Sequence, residues 1–265
     1  MTHKLKLQTD GVLEIPIVFN CNLNCNYCSH MSQFMQRIPP ISLQAFEQMC
    51  KDWTGKIESP RTRLHGGESL LHPDLEEIIQ MFVHYWKPAT THSLHISTNG
   101  ILLDKVPQSV CDLLNEHDIT VDVTLHHPSF ESICKTALSR FKHTWLNDMS
   151  SGDFMRLYEM VDNRPKLYRN NRPGVPYGYC SIKRHCQELI HNKLYHCSLL
   201  GWWTTAYKFC IIDDEINYTP ATPDMTIDEL VAWYNADFSL SCSICPAGNH
   251  TVVPLSEIFP NENIT

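Results

Sequence analysis

The chain has 265 residues and an ordinary share of apolar side chains, which is enough for one large domain or for a domain with a small appendage. Its formal net charge of −8 argues against a protein that binds nucleic acid through a broadly basic surface. No apolar run reaches membrane-spanning length, and the start, MTHKLKLQTDG, lacks the apolar stretch of a signal peptide. We therefore expect a soluble, cytoplasmic protein with no membrane partner.

Strands and helices are predicted to alternate about every thirty residues through the first part of the chain. Apolar, β-branched runs predict strands at 11–20, 62–68, 93–100 and 119–127, and a fifth at 153–161. Helical spacing predicts helices at 41–53, with Ser42 as a cap, and at 72–86, 106–117 and 129–141. This alternation is typical of an α/β fold with parallel strands in an open sheet or barrel.

Polar segments follow four of the predicted strands, and they contain the unusual chemistry of the chain. They are CNLNCNYC (21–28), GGES (66–69), STNG (97–100) and HHPS (126–129). In parallel β/α folds, active sites collect at the edge where the strands end. The sequence therefore predicts one site built from these segments.

Twelve cysteines are many for a chain without a signal peptide, and metal or redox chemistry explains them better than disulfides do. Three lie close together, at Cys21, Cys25 and Cys28. Five more fall in the last third, at Cys180, Cys186, Cys197, Cys242 and Cys245. The remaining four, Cys50, Cys111, Cys134 and Cys210, are expected to be mostly buried small hydrophobic residues.

The first cysteine group offers three thiolate ligands, and no fourth cysteine follows nearby. A structural zinc ion requires four ligands, so a zinc site here would borrow one from elsewhere in the chain. A [4Fe–4S] cluster held by three thiolates keeps one iron open, and that iron can bind a small molecule.

CNLNCNYC resembles the CxxxCxxC signature of the radical S-adenosylmethionine (SAM) enzymes, with Tyr27 as the aromatic residue before the last cysteine. GGE and STNG follow the second and third strands, as the family's SAM-contacting motifs do, although Ser69 stands where many members have proline. The resemblance implies a partial parallel (β/α)6 barrel over residues 1–165. It implies a [4Fe–4S] cluster on the three loop cysteines and a flavodoxin- or ferredoxin-type electron donor. It assigns SAM contacts to Tyr27, Gly66, Gly67, Glu68, Ser97, Thr98 and Asn99.

The second cysteine group predicts a hairpin over 186–197 with Asn192 and Lys193 in its turn, and Cys186 across from Cys197. Together with CSICP (242–246), it resembles the SPASM or twitch module of the same family, although Asn192 stands where the family usually has glycine. The resemblance implies a module over 166–265 that binds an auxiliary [4Fe–4S] cluster through Cys197, Cys242, Cys245 and either Cys180 or Cys186. A zinc ribbon on the same thiolates remains an alternative.

Further candidates have both a functional and a structural interpretation. His126 and His127 are candidates for substrate contact or proton transfer, or for capping a loop, and Glu159 is a weaker candidate. The basic, aromatic segment 156–172 is suited to gripping phosphates and stacking bases, or to forming a solvated connector. Trp202 and Trp203 are expected in the core of the module or in a substrate wall.

The resemblance implies hydrogen-atom abstraction from a small-molecule or nucleotide-type substrate, leading to isomerisation, dehydrogenation or bond formation. Peptide modification is an alternative, disfavoured by the short stretch before the first strand. Rearrangement of a decorated nucleobase is another, with nucleic acid as a substrate only. The hypothesis from a different class is a non-catalytic zinc-binding module.

Overall fold

The computed structural model describes residues 3–149, 154–167, 185–216, 218–236 and 252–259. The strands are β1 (Leu5–Lys6), β2 (Val12–Val18), β3 (Ile57–Gly66), β4 (Thr90–Thr98), β5 (Thr120–Leu125), β6 (Thr144–Asp148), β7 (Phe154–Met155), β8 (Tyr158–Val161), β9 (Arg164–Leu167), β10 (Cys186–Ile190), β11 (Lys193–Tyr195) and β12 (Val252–Val253). The α-helices are α1 (Leu43–Trp53), α2 (Leu75–Trp86), α3 (Gln108–Glu116), α4 (Glu131–Leu138), α5 (Ser198–Lys208), α6 (Ile227–Asn235) and α7 (Leu255–Ile258).

One large sheet organises the fold. Its strand order is β11-β10-β2-β3-β4-β5-β6, with the short β1 paired to β3. Neighbours from β10 to β6 pair in parallel, and β11 pairs antiparallel at the edge. This confirms the predicted α/β class with a mainly parallel sheet. Closure of the strands into a barrel stays a prediction.

Helices α1 to α4 cross between successive strands from β2 to β6, as the alternation of the sequence predicts. Ser42 caps α1 as predicted: it is extended, and its Oγ accepts a hydrogen bond from the Ala45 N–H at 3.2 Å. The strand β2 is buried along its whole length, as expected for a central parallel strand with both faces covered. These elements share one apolar core, in which Trp53 and Trp86 are fully buried.

The strand predicted at 153–161 is present only as two short strands, β7 and β8, and neither of them joins the main sheet. The strand beside β5 is Thr144–Asp148, whereas the residues of β7 and β8 pair in two small separate sheets with β12 and β9. The segment TWLND carries no apolar alternation, because it lies at the sheet edge and exposes most of its side chains, including Trp145 at 53%. An edge strand that exposes both faces does not show the alternation of apolar and polar residues by which a strand is predicted from sequence.

The predicted hairpin exists, but its turn residues are His191 and Asn192, both in the left-handed conformation. Ile190 pairs with Lys193, and the ladder ends at the pair Glu188–Tyr195. Strand β10 also pairs in parallel with β2, so the hairpin extends the core sheet. The proposed boundary between residues 165 and 166 stays a prediction.

A second apolar core lies between the cysteine loop and α5. Trp202 and Trp203 are fully buried there, which confirms that they are core residues. Trp202 stacks on His30 with ring centroids 4.4 Å apart and meets the edge of Phe19 at 5.4 Å. Helix α5 therefore supports the loop that follows β2.

The isolated cysteines follow their predicted burial with one exception. Cys50, Cys111 and Cys134 are buried, but Cys210 is exposed in a left-handed turn after α5.

Among the helices of the described ranges, none has the length and apolar character needed to cross a bilayer.

The turn residue Asn192 joins the hairpin to α1. Its Oδ1 accepts from the Trp53 indole N–H at 2.9 Å, and its Nδ2 donates to Asp52 Oδ2 at 2.7 Å. Its backbone φ is 59°, which asparagine tolerates better than most residues do. Asparagine thus supplies the turn conformation and, unlike glycine, also the two bonds.

We predict that Asn192→Ala lowers the stability of the chain by about 3 kcal/mol, because it removes both bonds and places a Cβ-bearing residue without a polar side chain at positive φ. That loss corresponds to a melting temperature about 10 °C lower. Asn192→Gly should cost about half as much, because glycine tolerates the conformation. Thermal unfolding followed by circular dichroism measures both. A glycine variant that melts at or above the wild type would contradict this account.

Candidate active site

A cavity of about 300 Å³ lies where β2 to β5 end. Its walls include the polar segments that follow these strands, as predicted. The predicted residues that line it are Cys21, Cys25, Tyr27, Cys28, Gly66, Gly67, Ser97, Thr98, Asn99 and His126. Glu68 and His127 are not among the lining residues.

The cysteine loop is held in a compact turn by backbone and side-chain contacts. The Leu23 N–H points at the Cys21 sulfur, 3.4 Å away, and the Asn99 amide lies 3.6 Å from the same sulfur. Burial raises the pKa of the Cys21 thiol to about 12 and also raises the pKa of Cys25. These thiols are poor nucleophiles on their own, whereas a bound metal stabilises the thiolate directly.

The spacing of the three sulfur atoms argues against a single zinc ion. Thiolates on tetrahedral zinc lie about 3.8 Å apart, given a zinc–sulfur distance of about 2.3 Å. Within the described residues, the one set of three or more metal-ligand atoms that all lie within 4.8 Å of one another belongs to other side chains. The three thiols are therefore spread more widely than one ion requires, and they fit a multinuclear cluster better.

Gly66 ends β3 and Gly67 follows it, and the two pack against the end of β2 and the start of the cysteine loop. A Cβ at Gly67 would lie 2.2 Å from the backbone oxygen of Asn20, and a Cβ at Gly66 would lie 2.4 Å from that of Val18. No side chain fits at either position without moving the loop. The glycines are thus required by the close packing of two backbone segments, in addition to lining the cavity.

Glu68 connects the segments that follow β3 and β4. Its carboxylate is fully buried and accepts from the Leu70 N–H at 3.0 Å and from the Asn99 N–H at 2.7 Å. Burial raises the pKa of Glu68, and these backbone donors oppose the rise. The contact predicted between this carboxylate and SAM stays a prediction, and the structure gives the residue a positioning role.

The segment after β4 is tied to its neighbours by short polar contacts. Asn99 Nδ2 donates to Asn22 Oδ1 at 2.7 Å, which joins this segment to the cysteine loop. Thr98 Oγ1 accepts from the Gly100 N–H at 3.0 Å and shapes the turn. Ser97 lines the cavity from the last part of β4.

Tyr27 forms the side of the cavity next to β8. Its ring lies 5.6 Å from that of Tyr158, and the Arg156 guanidinium lies over it at 4.9 Å. Arg156 also pairs with Glu257 of α7 at 2.5 Å. The neighbouring Asn26 donates its backbone N–H to the Ile258 carbonyl at 3.0 Å, so α7 anchors this end of the loop.

The two adjacent histidines after β5 have different surroundings. His126 lines the cavity, and burial lowers its pKa to about 4, so it is neutral near pH 7. His127 Nδ1 accepts from the Ser129 N–H at 3.2 Å and caps a short 3-10 helix, Pro128–Phe130. His126 therefore remains a candidate for substrate contact, and His127 has the structural role. Glu159 is exposed on β8 and does not line the cavity.

Sequence reasoning missed a buried polar group beneath the cavity. Glu14, Arg63 and His65 line it, and His65 Nε2 lies 2.9 Å from Glu188 Oε1. Burial lowers the pKa of His65 to about 4, so His65 is neutral near pH 7, and burial raises the pKa of Glu188. Glu14, a carboxylate in the middle of the apolar strand VLEIPIV, was the available signal.

The second cysteine group is described only in part. Cys186 begins β10, and burial raises the pKa of its thiol, whereas Cys197 precedes α5 as its N-cap residue. Cys180, Cys242 and Cys245 lie outside the described residues. The auxiliary cluster and the zinc ribbon therefore both stay predictions.

Known proteins resemble this chain over part of its length. A GTP 3′,8-cyclase of Microcystis aeruginosa is 29% identical over 138 residues, which cover 50% of this chain and 41% of that protein. A GTP 3′,8-cyclase of Aquifex aeolicus is 35% identical over 95 residues, which cover 35% and 28%. The chain thus spans less than half the length of these curated relatives. The solved structure of BtrN in complex with AdoMet and 2-DOIA is 18% identical, covers 71% of this chain and 72% of that one, and has a TM-score of 0.45.

The family model of the Radical SAM superfamily matches residues 15–151, which is just over half of the chain. The matched range contains the cysteine loop, the glycine pair and the segment after β4, which meet at one cavity. The donor set agrees with the [4Fe–4S] cluster and the SAM that the family uses. The chain therefore belongs to the Radical SAM superfamily of enzymes.

Proposed function

We propose that this chain cleaves SAM reductively and abstracts a hydrogen atom from a small-molecule or nucleotide-type substrate. The observation that carries the proposal is the meeting of three thiols, two glycines and the Ser97–Asn99 segment at one cavity. When bound, the cluster and SAM supply a 5′-deoxyadenosyl radical. The protein supplies the rest: it holds, orients and shields the reactants.

Cys21, Cys25 and Cys28 would hold the cluster; Cys25 is buried, and Cys21 and Cys28 are half-buried at the cavity wall. Gly66 and Gly67 leave room for SAM along the backbone, and Ser97, Thr98 and Asn99 offer short polar groups for it. Asn99 also supports the cysteine loop, because its side-chain amide contacts Asn22 and lies near the Cys21 sulfur. Tyr27 covers one side of the cavity and His126 another.

The preference for a nucleotide substrate rests on the relatives, which are named GTP 3′,8-cyclases. Two of the three described basic residues of segment 156–172 are engaged in ion pairs, which weakens the case for a nucleic-acid substrate. Arg156 is paired with Glu257, and Arg164 is paired with Asp213 at 2.8 Å. We therefore favour a free nucleotide or small molecule as the substrate over a peptide or a decorated nucleobase in nucleic acid. A flavodoxin- or ferredoxin-type protein would supply the electron, and a cytoplasmic location would suit such a donor.

We predict that the reconstituted, reduced chain transfers deuterium into 5′-deoxyadenosine from a nucleoside or nucleotide, with uniformly deuterated GTP as the first probe. Hydrogen abstraction forms the new C–H bond of 5′-deoxyadenosine from the substrate's own hydrogen, so the label must appear there. Mass spectrometry of the nucleoside fraction measures the label. If SAM is cleaved but deuterium enters 5′-deoxyadenosine only from deuterated peptides, the nucleotide substrate is rejected and peptide modification is favoured.

Glu68→Gln separates a positioning role from direct contact with SAM. Glutamine turns one acceptor oxygen into an N–H group, so either Leu70 or Asn99 loses its acceptor, at a cost of about 1 to 3 kcal/mol. We expect a lower melting temperature and lower iron retention even without SAM, and Glu116→Gln, an exposed change, should leave both unaltered. Unchanged stability and iron content, with weaker SAM binding alone, would show that the carboxylate acts on SAM directly.

A further inference from the structure

Three ligand-type side chains converge beneath the cavity, apart from the cysteine loop. Glu14 of β2, His65 of β3 and Glu188 of β10 each offer one donor atom, and these atoms all lie within 4.8 Å of one another. Glu188 pairs with Glu14 in the parallel register of β10 and β2, and His65 pairs with Pro16 in that of β3 and β2. Three neighbouring strands thus aim these groups at one point.

The triad is deeply buried and incompletely satisfied. Glu14 is 7% exposed, His65 is 3% exposed and Glu188 is fully buried. Glu188 Oε1 contacts His65 Nε2, but Glu188 Oε2 has no hydrogen-bond partner among the described residues. The Trp202 indole N–H lowers the pKa of Glu188, but no hydrogen bond of normal geometry joins it to the carboxyl group, and Trp202 Nε1 and Glu188 Oε2 are both buried without a partner among the described residues. A buried carboxyl oxygen without a donor is costly unless something binds it.

The charges around the triad leave room for a cation. Arg63 Nη1 lies 3.3 Å from Glu14 Oε1, a long contact, and Arg63 Nε lies 3.2 Å from Asp122 Oδ2. Asp122 therefore shares the guanidinium with Glu14. Two carboxylates and one imidazole would together carry two negative charges when deprotonated, which a divalent ion would balance.

The donor set and the access route indicate the class of ion. One imidazole nitrogen and two carboxylate oxygens suit divalent manganese, iron or zinc, whereas soft copper(I) prefers sulfur. Glu14 and His65 line the same cavity as the three thiols, so an ion has a path to them. Catalytic metal sites with three protein ligands keep open positions for water or substrate.

We propose that Glu14, His65 and Glu188 bind one divalent transition-metal ion at the inner end of the cavity, with its open coordination positions towards the cavity. There the ion would hold an oxygen atom of the substrate, such as a phosphate, carboxylate or hydroxyl oxygen. This last role rests on the proposed function; binding of the ion does not.

Titration of Mn²⁺ into the cluster-reconstituted, chelator-treated protein tests the site, with free Mn²⁺ followed by electron paramagnetic resonance. We expect one bound Mn²⁺ per chain. Glu188→Gln should weaken binding at least tenfold, the lower range for disturbed metal sites. Glu14→Gln should act in the same direction, and Glu159→Gln, an exposed change on β8, should bind as the wild type does.

Equal Mn²⁺ binding by the wild type and a folded Glu188→Gln variant would overturn the proposal, as would no binding by the wild type. If Glu188→Gln fails to fold, Glu14→Gln decides in its place. The readout requires no SAM turnover. If Mn²⁺ binding depends on Glu188 but SAM is not cleaved, the metal site stands and the proposed function is rejected. If SAM is cleaved but no such Mn²⁺ binding is found, the proposed function stands and the metal site is rejected.

Discussion

Parallel pairing of β2, β3 and β4 is the constraint on which the site depends. Because the three strands run in the same direction, the segments that follow them emerge at one edge of the sheet. The close approach of the first two segments then requires glycine, since a Cβ at Gly67 would collide with the Asn20 carbonyl. The Glu68 carboxylate and the Asn99 amide lock the third segment to the other two. The three thiols and the residues predicted to contact SAM share one cavity for these reasons.

The chain separates two kinds of donor along this cavity. Thiols lie in the loop beyond β2, where Cys25 is buried and Cys21 and Cys28 pack against the main apolar core. Nitrogen and oxygen donors lie deeper, on the strands themselves, at Glu14, His65 and Glu188. The soft thiol ligands are thus placed where an iron–sulfur cluster would form. The harder nitrogen and oxygen ligands lie at the inner end of the cavity.

Most of the first half of the fold could be predicted from the sequence, because its strands are apolar runs and its helices have amphipathic spacing. Strand β6 could not, since TWLND lies at an edge and exposes most of its side chains. The hairpin was predictable, but its turn shifted by one residue, because both His191 and Asn192 adopt the left-handed conformation. The cysteine loop was recognisable from its spacing together with the GGE and STNG segments that follow the next two strands. The triad was not, because its members come from strands far apart in the chain and meet only through the pairing of β10 with β2.

The most direct test is to count iron and zinc in the anaerobically reconstituted chain and to measure 5′-deoxyadenosine after reduction with SAM. We make the measurement on the wild type, on Cys25→Ala and on Cys111→Ala, a matched change at a buried cysteine outside the loop. The account predicts at least about four irons per chain and SAM cleavage for the wild type and for Cys111→Ala. Cys25→Ala should lose about four irons and all cleavage. Zinc without iron, or cleavage that survives Cys25→Ala, would contradict the account.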